Sequence, residues 1–97
     1  GRERAWVERL EAEVERGFGF SAGLDAGRLV VIDVKPGRPA AAAGLRAGDA
    51  VIEVRGRALD RSMLLQAPAI FRFAEGESEV EMVVEREGER VRLMVRP

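Results

Sequence analysis

The stretch Pro36-Gly37-Arg38-Pro39-Ala40-Ala41-Ala42-Ala43-Gly44-Leu45-Arg46-Ala47-Gly48-Asp49 limits the fold of this chain more than any other part. Two prolines within four residues end a strand, because proline has no amide to give to a ladder. Pro39 suits the first position of a helix, the alanines continue it, and Gly44 closes it. A short helix is therefore set between two apolar runs, Leu29 to Val34 before it and Val51 to Val54 after it. Both runs are β-branched and read as buried strands, the second entered through a turn at Gly48-Asp49 and ended at Gly56.

The flanking sequence completes this alternation. Trp6, Val7, Leu10 and Val14 recur at helical spacing, which predicts a helix from Arg2 to Arg16 that stops at Gly17. Gly1 reads as a cloning remnant, so residues 1–16 are expected to be an extension or linker from a preceding domain and residues 17–97 the domain itself. Phe18 to Leu24 predicts a strand, with a turn at Asp25-Ala26-Gly27. Asp60 is a candidate cap for a second helix carrying Met63, Leu64, Leu65, Ile70, Phe71 and Phe73 and ending near Gly76. Pro68 either kinks that helix or places its start near Ala67, with residues 60–66 as an ordered loop. Val80, Met82 and Val84, then Val91, Leu93 and Val95, alternate with charged or outward residues on either side of Glu87-Gly88-Glu89, which is the pattern of a hairpin.

Composition removes whole classes of function. The 97 residues suffice for one hydrophobic core. The 16 basic and 17 acidic residues interleave to a net charge of −1, with no concentrated basic face for nucleic acid. No apolar run reaches the roughly 18 residues that a membrane span needs. The chain has no histidine and no cysteine, so imidazole and thiolate metal sites, cysteine nucleophiles and histidine acid–base pairs are excluded and no cofactor or metal is expected. The remaining nucleophile candidates are Ser21, Ser62 and Ser78, and Lys35 is the only lysine. Ser21 falls in one strand and Lys35 after another, so they read as a strand residue and a surface lysine. Glu79, Glu81 and Glu85 alternate with core residues and read as a solvated strand face. The chain is expected to catalyse nothing on its own.

What it can do is bind. Glycines on both sides of a phenylalanine in Gly17-Phe18-Gly19-Phe20 let successive main-chain amides turn the same way. Such a nest takes an anion, naturally a carboxylate, with Phe18 and Phe20 walling an apolar pocket beside it. The strand that follows offers its edge to an extended peptide. Taken alone, the motif has a second reading, in which Gly17 caps the first helix and both phenylalanines are core.

Together, Gly17 to Phe20 and Pro36 to Asp49 resemble a PDZ domain, in which a Gly-Leu-Gly-Phe-like loop opens the peptide-binding strand and a Pro-Gly-x-Pro-Ala-x-x-Ala-Gly-Leu-x-x-Gly-Asp segment joins the next strands. Phe18 takes the leucine position, and the likeness spans residues 17 to 96. It implies an α+β fold: a partly open antiparallel β-barrel or sandwich of five to six strands capped by two helices, here with the extra N-terminal helix. It implies a carboxylate-binding loop at Gly17, Phe18, Gly19 and Phe20. It also implies a groove lined by Ser21 and Ala22 on the strand and by Leu65, Ala69 and Arg72 on the second helix. An apolar Leu65 would favour an apolar side chain two residues before the peptide's end. Arg16 reads first as a solvated helix end and second as a source of long-range attraction to the carboxylate. With Val91 to Val95 in place of an N-terminal strand, the order resembles the circularly permuted bacterial type, most like that of carboxy-terminal processing proteases. That implies substrate recognition or regulation beside a protease domain, in the periplasm or cell envelope. The partner would be a peptide or protein C-terminus with an apolar terminal residue. The alternative is a docking module with a degenerate groove that mediates assembly. Two positions depart from the pattern. Arg38 replaces the usual serine cap, which predicts fraying of the short helix, and Arg55 replaces an asparagine before Gly56, which leaves that turn type open.

Overall fold

Each tight reversal of the sheet is a two-residue turn with positive φ at both positions: Ala26-Gly27, Arg55-Gly56 and Glu87-Gly88. Glycine holds the second position without strain, and a turn of this hand matches the right-handed twist of the strands it joins. The computed structural model describes residues 17–60 and 66–97. The strands are β1 (Phe20–Asp25), β2 (Arg28–Val34), β3 (Ala50–Val54), β4 (Arg57–Ala58), β5 (Val80–Arg86) and β6 (Glu89–Val95). Helix α1 (Pro39–Ala43) joins β2 to β3, and α2 (Ala67–Ile70) lies between β4 and β5. All pairings are antiparallel, in the order β1-β2-β3-β5-β6, with the short β4 paired to β3. The predicted N-terminal helix, with Trp6, Leu10, Val14 and Arg16, and positions Ser62 to Leu65 lie outside the described residues.

The strands obey the alternation read from sequence. Val80, Met82 and Val84 face inward and are buried, while Glu81 and Glu85 pair outward with Met94 and Arg90 on β6. The core gathers Phe18, Phe20, Val31, Val54, Phe71, Met82 and Val95 into one cluster. In β2 the register slips opposite Ser21 and Ala22, so that Ile32 has no partner and points into solvent.

Three features differ from the sequence expectation. The first strand starts at Phe20, because Phe18 and Gly19 spend their main-chain groups on partners outside the ladder. The second helix begins at Ala67 but stops at Ile70, well short of Gly76. Its end follows from competition: the carbonyls of Ile70, Phe71 and Arg72 accept from Arg55 and Phe18 rather than from amides one turn on. The third is α1, which has no side-chain cap at Arg38, yet its N-terminus is not left open. Pro39 has no amide to satisfy, and the Ala40 amide donates to the Phe18 carbonyl at 2.9 Å. The loop before β1 supplies the cap that serine would have given.

A buried ion pair ties α1 to the far end of β5. The carboxylate of Asp49, 1% exposed, accepts from Arg86 Nε at 2.8 Å and Nη2 at 2.7 Å, and from the Arg46 amide at 2.9 Å. Arg86 also reaches the Gly44 carbonyl, which closes α1, at 2.9 Å. Burial pushes the Asp49 carboxyl up, but the hydrogen bonds from Arg86 and the Arg46 amide outweigh it and hold it below its ordinary range.

Candidate functional site

Three carbonyls of the loop Gly17–Phe20 lie on one side. The Gly17 carbonyl accepts from Arg38 Nη2 at 3.2 Å, that of Phe18 from the Ala40 amide at 2.9 Å, and that of Gly19 from the Lys35 amide at 2.9 Å. No peptide bond among the described residues is cis, and in a trans peptide the carbonyl and the next amide point opposite ways. The amides of Phe18, Gly19 and Phe20 therefore face away from the Lys35–Ala40 segment. The first of them donates to the Phe71 carbonyl just beyond α2, at 2.9 Å. The Phe20 amide, opposed to a carbonyl directed at the end of β2, faces the side of β1 that no strand occupies among the described residues.

Glycine is required twice here. Gly19 sits at φ +92°, and a Cβ there would lie 2.3 Å from Arg38 Cβ and 2.7 Å from its Cγ, so the arginine stem lies across this residue. A Cβ on Gly17 would lie 2.1 Å from the Phe71 carbonyl oxygen, so the loop and the end of α2 meet backbone to backbone.

The aromatic rings belong to the interior. Phe18 and Phe20 are fully buried, with ring centroids 4.9 Å from Phe18 to Phe73, 6.3 Å from Phe18 to Phe71 and 5.3 Å from Phe20 to Phe71. The core reading of the two phenylalanines thus holds, so they do not wall an open pocket; Gly19 is buried between them and Gly17 is half-buried. Of the groove positions expected from sequence, Ser21 is half-buried on β1 and Ala22 points into the core. Ala69 and Arg72 are exposed, and Arg72 Cβ lies beside Gly17. Leu65 falls outside the described residues. Ser21 pairs with Asp33 in the ladder, and Lys35 follows the end of β2. Among the described residues no cluster could hold a metal ion.

Sequence reasoning missed Arg55 and Glu77. Arg55 occupies the turn after β3 at φ 54°. Its guanidinium donates to both Glu77 oxygens at 2.8 Å, to the Ile70 carbonyl at 2.7 Å and to the Arg72 carbonyl at 2.9 Å. Glu77 also accepts from the Ala74 amide at 2.9 Å, and the Arg55 guanidinium first, then that amide, hold its carboxyl down to about 2. The only sequence trace of this was an arginine where asparagine is usual.

The sign of the pH dependence follows. Glu77 and Asp49 both ionise lower in the fold than at their ordinary values, so their stabilisation is complete above those values and is lost as pH falls through the folded ones. Urea midpoints measured against pH are expected to fall between pH 4.5 and about 2, and Glu77→Gln to flatten that decline, leaving the part due to Asp49. A midpoint that is constant across the range would contradict both pairings.

An antiparallel sheet with β1 as a terminal strand, a glycine loop at the start of that strand and a short helix beside the loop define a class of peptide-recognition fold. The chain belongs to the PDZ domain family, which it matches over residues 10–96. It is 36% identical over 87 residues to a protein of Halomonas elongata described as a DegP-like periplasmic serine endoprotease, covering 89% of this chain but 18% of that protein. Its fold is similar to the photosystem II D1 C-terminal processing protease, at TM-score 0.62 and 30% identity, over 84% of this chain and 22% of that one. It is also similar to the HtrA3 PDZ domain bound to a phage-derived ligand, FGRWV, at TM-score 0.56 and 27% identity, over 75% of this chain and 65% of that one. The family is a non-catalytic module carried by proteases of these kinds.

Proposed function

We propose that this chain recognises a polypeptide end, taking a terminal carboxylate on the loop Gly17–Phe20 and the preceding residues as an added strand along β1. The observation that carries this reading is the sorting of the loop: three carbonyls are tied to the Lys35–Ala40 segment, and the amides are turned toward α2 and the open edge. Ser21 and Ala22 would pair with the peptide main chain, and Leu65, Ala69 and Arg72 would face its side chains. The ligand on the HtrA3 domain supports a peptide partner with an apolar end. The share of its relatives that the chain covers supports a role as the substrate-recognition or regulatory domain of a bacterial envelope protease, with residues 1–16 leading from a preceding domain and catalysis left to another part of that protein.

Each charge-assisted amide contact contributes about 1.5–3 kcal/mol and a buried terminal side chain a similar amount. Set against lost motional freedom, these give an affinity near −8 kcal/mol, or roughly micromolar. Calorimetry with peptides ending in Val, Leu or Ala tests it. Converting the terminal carboxylate to an amide is expected to weaken binding by about tenfold or more. Equal affinity of the acid and amide forms would defeat the carboxylate loop and leave strand addition alone.

A further inference from the structure

In the free chain the Phe71 carbonyl already sits on the Phe18 amide, one of the donors that the peptide reading assigns to the ligand. The two carbonyls flanking it in sequence, Ile70 and Arg72, are both held by the guanidinium of Arg55. That guanidinium is itself fixed, because Glu77 grips it through two parallel bonds, while the Arg55 amide donates to the Glu81 carbonyl at 2.8 Å. Arg55 accepts a left-handed backbone, unusual for a side chain of this size, and its guanidinium holds residues 70–72 against the loop.

We infer that Arg55 and Glu77 form a latch that holds the Phe71 carbonyl on the Phe18 amide, so that the pair sets the peptide affinity of the site without touching the peptide. This rests on the peptide reading above and deepens it. A carboxylate is a stronger acceptor than a neutral carbonyl and takes the amide once it is offered. It is offered only when residues 70–72 move off the loop, and that movement breaks the bonds to Arg55. Apparent affinity is then the intrinsic affinity scaled by the fraction of molecules in which the latch is open. Arg55 and Glu77 are positioning residues, and weakening them frees a donor.

A purely structural helix cap would behave differently: its loss lowers stability and leaves binding unchanged or weaker. The 97-residue chain, labelled with 15N, distinguishes the two in the variants Glu77→Gln and Arg55→Lys, each of which keeps some of the hydrogen bonds. The probe is a five-residue peptide ending in valine with a free carboxylate. Amide exchange at Phe18 is expected to accelerate in both variants while exchange at Val31, in the core of β2, holds. The dissociation constant is expected to fall about fivefold, the weight of one neutral main-chain hydrogen bond. Unchanged Phe18 exchange, or accelerated exchange with unchanged or weaker binding in a folded variant, overturns the latch while wild-type binding keeps the peptide reading. Absence of binding to the wild type and to both variants overturns the peptide reading and the latch together.

Discussion

Replacing Arg86 with methionine is expected to destabilise the chain by about 3–5 kcal/mol, the range for breaking a buried ion pair on one side. The substitution leaves the Asp49 carboxylate, 1% exposed, with the Arg46 amide as its remaining donor and removes the bonds at 2.8 and 2.7 Å. It also strips the Gly44 carbonyl at the end of α1 of its arginine donor. The stranded carboxylate must either stay charged in a dry site or take a proton, so the loss is expected to shrink as pH falls toward the ordinary range of Asp49. Urea unfolding at neutral and acidic pH measures both. The double variant Arg86→Met with Asp49→Leu should recover most of the loss, because no charge is then left unpaired. A loss below about 1 kcal/mol for the single variant would mean the pair behaves as an exposed one.

How much of this was legible in the sequence depends on how far apart the partners lie. The strands β2, β3, β5 and β6 were readable because β-branched alternation and glycine-marked turns are local patterns. The loop Gly17–Phe20 was readable for the same reason, and the α1 segment because prolines, alanines and glycines act on their own backbone. Arg55 bonds to Glu77 across 22 residues and Arg86 to Asp49 across 37, and no periodicity reports such a pairing. The length of α2 was misjudged for a related reason. Phe71 and Phe73 lie two residues apart, which is not helical spacing; they are apolar because they pack on Phe18 and Phe20, not because they line a helix face. The cap of α1 was not legible because the acceptor is the Phe18 carbonyl, which lies outside the motif that predicted the helix.

The loop itself can be tested through its second glycine. Gly19→Ala is expected to cost about 3 kcal/mol, a left-handed backbone accounting for about 1–2 and the remainder coming from crowding. The added methyl would lie 2.3 Å from Arg38 Cβ, an atom fixed to the start of α1, so rotation of the arginine tip cannot relieve it. Something must move, and the groups that resist are the Phe18 and Gly19 carbonyls with their bonds to Ala40 and Lys35 at 2.9 Å. Displacing them turns the opposing amides, so peptide affinity should drop by at least about tenfold along with stability. Adding Arg38→Gly to the same chain removes the crowding and keeps the strained φ, and should return roughly half of the lost stability. Thermal unfolding with a peptide titration on each variant separates these parts. If Gly19→Ala bound a valine-ended peptide as the wild type does, the main chain of this loop would not be where the ligand sits, however well folded the variant proved to be.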